Sequence, residues 1–88
     1  MVLENIPPLD ADGDREWRVN GEQHRDNGQP AVELANGGRE WWINGRRHRD
    51  QGMPAMVHIN GNQEWWINGI RQYTQVIQYC RLINCKLE

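Results

Sequence analysis

At 88 residues, with 38% hydrophobic residues and a mean hydropathy of −0.91, the chain is read as one domain near the lower limit for a self-sufficient core. The formal charge of −2 and a single lysine disfavour extended nucleic-acid binding. No apolar run is long enough to span a bilayer and nothing resembles a secretory leader, so a cytoplasmic location is expected.

Residues 1–12, with Pro7-Pro8, read as an extended N-terminal cap, an edge strand blunted by proline. A repeat follows. Glu40-Trp41-Trp42-Ile43-Asn44-Gly45 recurs as Glu64-Trp65-Trp66-Ile67-Asn68-Gly69 and, degraded, as Glu16-Trp17-Arg18-Val19-Asn20-Gly21, each time 24 residues apart. Windows 13–36, 37–60 and 61–84 align without gaps, and one such unit cannot bury its own apolar face.

Within a unit, Glu-Trp-x-(Val/Ile) reads as a strand, and Asn-Gly as a tight turn whose residues tolerate positive φ. A polar loop, His-Arg-Asp-x-Gly-x-Pro, leads to a second strand at 31–34 or 55–59, and Asn36-Gly37 or Asn60-Gly61 turns the chain back. The expected fold is mainly β, an antiparallel meander of about five or six short strands. Alternation places Trp17, Trp41 and Trp65 on one face with Val19, Ile43 and Ile67. Arg18, Trp42 and Trp66 fall on the other face with Glu16, Glu40 and Glu64.

The third unit leaves the pattern after Gly69, so the repeats are assigned to 13–36, 37–60 and 61–73, and 74–88 to a C-terminal capping helix. Tyr73, Val76, Ile77, Cys80, Ile83 and Leu87 recur at helical spacing, which predicts a helix over 75–86 with Thr74 as N-cap. Cys80 and Cys85, five apart in that helix, suit neither a zinc knuckle nor a disulfide stapling the repeats.

Charge is unevenly placed. Residues 1–36 carry eight acids and three arginines, whereas 37–88 carry seven bases and four acids. Such asymmetry favours an anionic patch on a partner, or head-to-tail self-association. Nine of the ten bases are arginine, which binds carboxylates bidentately and stacks on rings. The candidate binding residues are therefore Trp42, Trp66, Arg18, Arg39, Arg46, Arg47 and Arg49. His24 with Asp26, and His48 with Asp50, read first as structural loop clasps, with the aspartates accepting loop N–H groups and the His and Arg stacking on neighbouring hairpins. A metal site from these four is the lesser reading, and none is assigned. With no serine in the chain and one threonine at the helix cap, no nucleophile stands beside a base, so no catalytic residue and no cofactor are expected.

At Asn44-Gly45, His48, Gly52 and Asn60-Gly61, and at Asn20-Gly21, His24, Gly28 and Asn36-Gly37, the chain resembles the MORN repeat family over residues 13–69. It is most similar to the divergent version common in large DNA viruses, bacteriophages and some bacteria. The resemblance implies a non-enzymatic protein–protein scaffold; some such arrays have been connected to phospholipid head groups. Arg25 and Arg49 replace the glycine after His and an Asp is inserted, so the loop is longer and more charged than in the usual repeat. The leading expectation is a protein-binding module, such as a viral or phage accessory protein that inhibits a host defence factor in the host cytoplasm. The alternatives are a protein that sequesters a nucleotide or similar anionic small molecule, and a purely structural scaffold. A thin sheet in so short a chain leaves one Trp column for a partner or a second copy, and a homodimer is expected slightly ahead of a monomer.

Overall fold

The computed structural model describes residues 5–73, which fold as an antiparallel β structure with no helix among them. The helix expected over 75–86 lies outside the described residues. Ten short strands run in chain order: β1 (Arg15–Glu16), β2 (Arg18–Val19), β3 (Glu22–Gln23), β4 (Val32–Glu33), β5 (Arg39–Glu40), β6 (Trp42–Ile43), β7 (Arg46–Arg47), β8 (Met56–Val57), β9 (Gln63–Ile67) and β10 (Ile70–Gln72). A six-stranded sheet has the order β1-β4-β5-β8-β9-β10, and β2-β3 and β6-β7 form separate two-stranded hairpins.

The strand count exceeds the five or six read from sequence because each Glu-Trp-x-(Val/Ile) segment of the first two units bends at its first tryptophan. Before the bend the strand belongs to the large sheet, where Glu16 pairs with Val32 and Glu40 with Met56. Beyond it the strand pairs instead with its own hairpin, Arg18 with Gln23 and Trp42 with Arg47. The tryptophan backbone bridges the change of partner. Trp17 N–H donates to Ala31 O and its carbonyl accepts from His24 N–H; Trp41 does the same with Ala55 and His48. In the third unit β9 runs through without a break, against β8 and then β10.

The hairpin turns follow from Asn-Gly chemistry. Asn20, Asn44 and Asn68 have φ of 54°, 51° and 50°, and the glycines after them 80°, 77° and 80°, the left-handed pair that a two-residue hairpin requires. At Gly45 the turn is also tight against the preceding unit, since a Cβ there would meet Glu22 Oε2 at 2.9 Å.

The core is a single file: Trp17, Ala31, Val32, Trp41, Ala55, Met56 and Trp65, with both alanines fully buried. The bend corrects one expected face. Val19 is 52% exposed, although alternation would place it inward beside the buried tryptophans, because β2 has left the large sheet by that point; Ile67, at the end of β9 beside its turn, is 39% exposed. The other face keeps its expected membership, with Trp42 and Trp66 donating from Nε1 to Glu40 and Glu64.

The pattern also starts earlier than residue 13. At Asp10–Asp14 the outer N–H donates to the carbonyl four residues on, as at Leu34–Gly38 and His58–Asn62, and Gly13 closes the turn as Gly37 and Gly61 do. Pro7-Pro8 stands where β4 and β8 have Ala31-Val32 and Ala55-Met56, 24 and 48 residues later. Proline cannot donate to a ladder, so the regular sheet begins only at β1.

Trp41 and Trp65 each donate from Nε1 to a carbonyl thirteen residues upstream, Gly28 O and Gly52 O, both at 2.9 Å. Trp17 Nε1 is buried, and none of the described residues accepts from it. Trp41→Phe should therefore cost more than Trp17→Phe by about 1 kcal/mol, because only the first change orphans a carbonyl. Urea unfolding of the two variants measures the difference, and equal losses would show that the indole bond contributes nothing.

Candidate interaction surface

The His-Arg-Asp loops join unit to unit. His24 Nδ1 accepts the N–H of Asn44 at 3.0 Å, and His48 Nδ1 that of Asn68 at 2.9 Å. With Nδ1 accepting, the neutral ring carries its proton on Nε2, which donates to Asp26 at 2.8 Å and to Asp50 at 2.7 Å. The aspartates thus take the histidine ring proton and hold the ring against the next unit's turn. Both ring nitrogens are engaged.

Arg25 and Arg49 stack within their own units, not on the neighbouring hairpin. Their guanidinium carbons lie 3.7 and 3.8 Å from the ring centroids of Trp17 and Trp41, and each Nη1 donates to a proline carbonyl five residues on, Pro30 O and Pro54 O. Burial lowers the pKa of Arg49, although a guanidinium stays charged at neutral pH. Arg49 is a roof for Trp41. Between the two loops, floored by Trp41, Trp42 and Ile43, lies an open cleft of about 340 Å³ that Arg25, Asp26, Arg49 and Asp50 line with both signs of charge.

The hairpins carry a second row. Arg47 Cζ is 5.0 Å from the centroid of Trp42 and 5.0 Å from that of Trp66, so the guanidinium lies between two indoles. The rings are held at their edges, Trp42 Nε1 donating to Glu40 Oε1 at 2.8 Å and Trp66 Nε1 to Glu64 Oε1 at 3.0 Å. In the first unit Arg18 stands in the tryptophan's place and donates from Nη2 to Glu16 Oε1 at 3.1 Å, where Gln23 also donates. Arg71, opposite Trp66 on β10, continues the row, its Nε 3.9 Å from Glu64.

Among the seven candidate binding residues, the structure brings Arg47, Trp42 and Trp66 together and puts Arg18 in the same row. Arg49 is committed to Trp41. Arg46 is exposed and its side chain lies alongside Gly69 of the next turn. Arg39 is exposed in the large sheet, opposite Glu33 and Val57. Arg71 was missed by the sequence reading, although it lies 24 residues after Arg47 and inherits its place. Glu40 and Glu64, which anchor the indoles, were read only as face markers.

Among the described residues, Asp10, Asp12 and Asp14 form the acidic cluster, with carboxylate oxygens within 4.8 Å of one another. Asp10 Oδ1 accepts the N–H groups of Asp12 and Asp14, and Asp14 Oδ1 that of Ala35 at 2.7 Å, so these oxygens shape the turn. No helix among the described residues is long and apolar enough to cross a membrane. No protein-family model matches the chain, and no curated protein or solved structure proved similar to it.

Two outcomes follow. His48→Ala removes the acceptor for Asn68 N–H at an exposed turn and should lower stability by about 0.5–1.5 kcal/mol in chemical unfolding, with His24→Ala alike. Glu64 titrates below its ordinary value, chiefly through the hydrogen bond from His58, with Trp66 and Arg71 adding to the lowering and burial opposing it. A carboxylate depressed in the folded state stabilises above its unfolded value and loses that contribution as pH falls through the folded one. The melting-temperature gap between wild type and Glu64→Gln should therefore be full near neutrality and close as pH drops below about 4.3.

Proposed function

We propose that this chain is a non-enzymatic MORN-like repeat module that binds another protein through the Trp42–Arg47–Trp66 face. The observation that carries the reading is the state of Arg47. Its guanidinium is clamped between two indoles, and among the described residues its buried Nε has no acceptor and no ion pair includes it. A charge held in place without a counter-ion among the described residues is a group prepared for a partner, and Trp and Arg are the residues that dominate interface energetics.

The sequence resemblance adds a host-directed accessory role, such as inhibition of a defence factor, and a C-terminal helix that closes the array. The sequestration of a nucleotide is the weaker reading. The space between the facing indoles is filled by Arg47, so a base stacked there would first have to displace the guanidinium.

Affinity capture from host lysate, with wild type beside Arg47→Ala and Trp66→Ala, tests the proposal once circular dichroism and melting temperature show which variants keep the fold. One protein should be enriched by wild type and weakened roughly 30-fold in a folded variant, the equivalent of about 2 kcal/mol at a hot spot. Capture that survives both substitutions would place the binding surface elsewhere.

A further inference from the structure

The row on the hairpin face has a repeat of its own, and its spacing names a ligand. Arg47 and Arg71 flank Trp66, Arg47 from β7 and Arg71 from β10, the strand paired with β9. β7 meets the same stretch of β9 from the other side, through Arg49 N–H to Trp66 O and Gly69 N–H to Arg47 O. The two arginines are therefore two strand spacings apart, about 10 Å. The side chain of Arg71 is 53% exposed. Arg47 is half-buried, and its terminal nitrogens make no bond to a described residue.

We infer that this row is a docking site for an acidic peptide segment of a partner protein, with carboxylates about 10 Å apart engaging Arg47 and Arg71 across the edge of Trp66. The inference rests on the protein-binding reading above and specifies its chemistry. Alternate side chains of an extended chain leave the same face about 7 Å apart, and the length of two glutamate side chains spans the rest, so an acid-x-acid segment reaches both guanidinium groups. Each fork accepts a carboxylate bidentately, and the clamp on Arg47 removes much of the rotamer freedom that a free arginine loses on binding.

Glutamates within the row bear on the choice between carboxylate and phosphate. Glu40 and Glu64 lie under the row, tied to the indole N–H groups. Their field opposes any incoming anion, and opposes a phosphate of charge about −1.5 to −2 more than a carboxylate of −1.

The test is titration calorimetry of the full chain with a peptide carrying two glutamates two residues apart, the same peptide with glutamines, the same peptide with phosphoserines, and ATP. The glutamate peptide should bind, and binding should weaken with salt. Arg47→Lys, which keeps the charge and loses the fork, should weaken it tenfold or more. Arg71→Gln, at an exposed position, should weaken it about tenfold with only a small change in melting temperature. Equal binding of the glutamine peptide, tighter binding of the phosphoserine peptide or ATP, or full affinity in both variants would overturn the inference. If no peptide binds while lysate capture of a protein still depends on Arg47, the carboxylate class falls and the protein-binding reading stands. If capture also fails, both fall.

Discussion

The array depends on hydrogen bonds that no unit completes by itself. The indole of Trp41 needs the carbonyl of Gly28 and that of Trp65 needs Gly52, while the turn N–H groups of Asn44 and Asn68 need the histidines of the preceding loops. The indole donors are half-buried, and leaving one unpaired costs more than making its bond gains, whereas the turn N–H groups are exposed and gain only the net worth of their bonds. Cooperativity between units therefore comes from polar satisfaction as much as from the narrow apolar file. The fully buried alanines at 31 and 55 follow from the same arrangement, since their backbones bond the tryptophans on one side and Glu40 or Glu64 on the other.

The outer row obeys a related rule with looser chemistry. A glutamate two residues before the variable position accepts whatever donor that position offers, an indole N–H in two units and a guanidinium in the first. Tryptophan and arginine are interchangeable there because both present a flat face and an edge N–H. That exchange leaves Arg18 at one end of the row and keeps the clamped arginine for the middle, between the two indoles.

Much of the fold was legible in sequence, where the determinant was local. Asn-Gly fixes a hairpin turn by the φ values it tolerates, and Trp with β-branched residues marks the strands around it. The bend at Trp17 and Trp41 was not legible, because it arises from a change of partner between strands far apart in sequence, and alternation assumes one continuous strand. The histidines were recognised as clasps, but their acceptor role depends on an N–H twenty residues ahead, which no loop motif encodes. In the candidate site, Trp42, Trp66 and Arg47 could be named from type and column. That the arginine would fill the gap between the rings followed only from the pairing of β6 with β7 and the contact of β7 with β9.

The inter-unit bonds of the described residues reach only from one unit to the next. A further 24-residue copy inserted at the boundary between residues 36 and 37 would meet on each side the same donors and acceptors that its neighbours already offer. Copy number is thereby free to drift by tandem duplication without any new contact having to be invented. Each added unit would extend the outer row by one rung. The length of the ladder can then track the length of whatever lies along it, which gives a lineage a means of retuning its reach by gene rearrangement instead of by substitution.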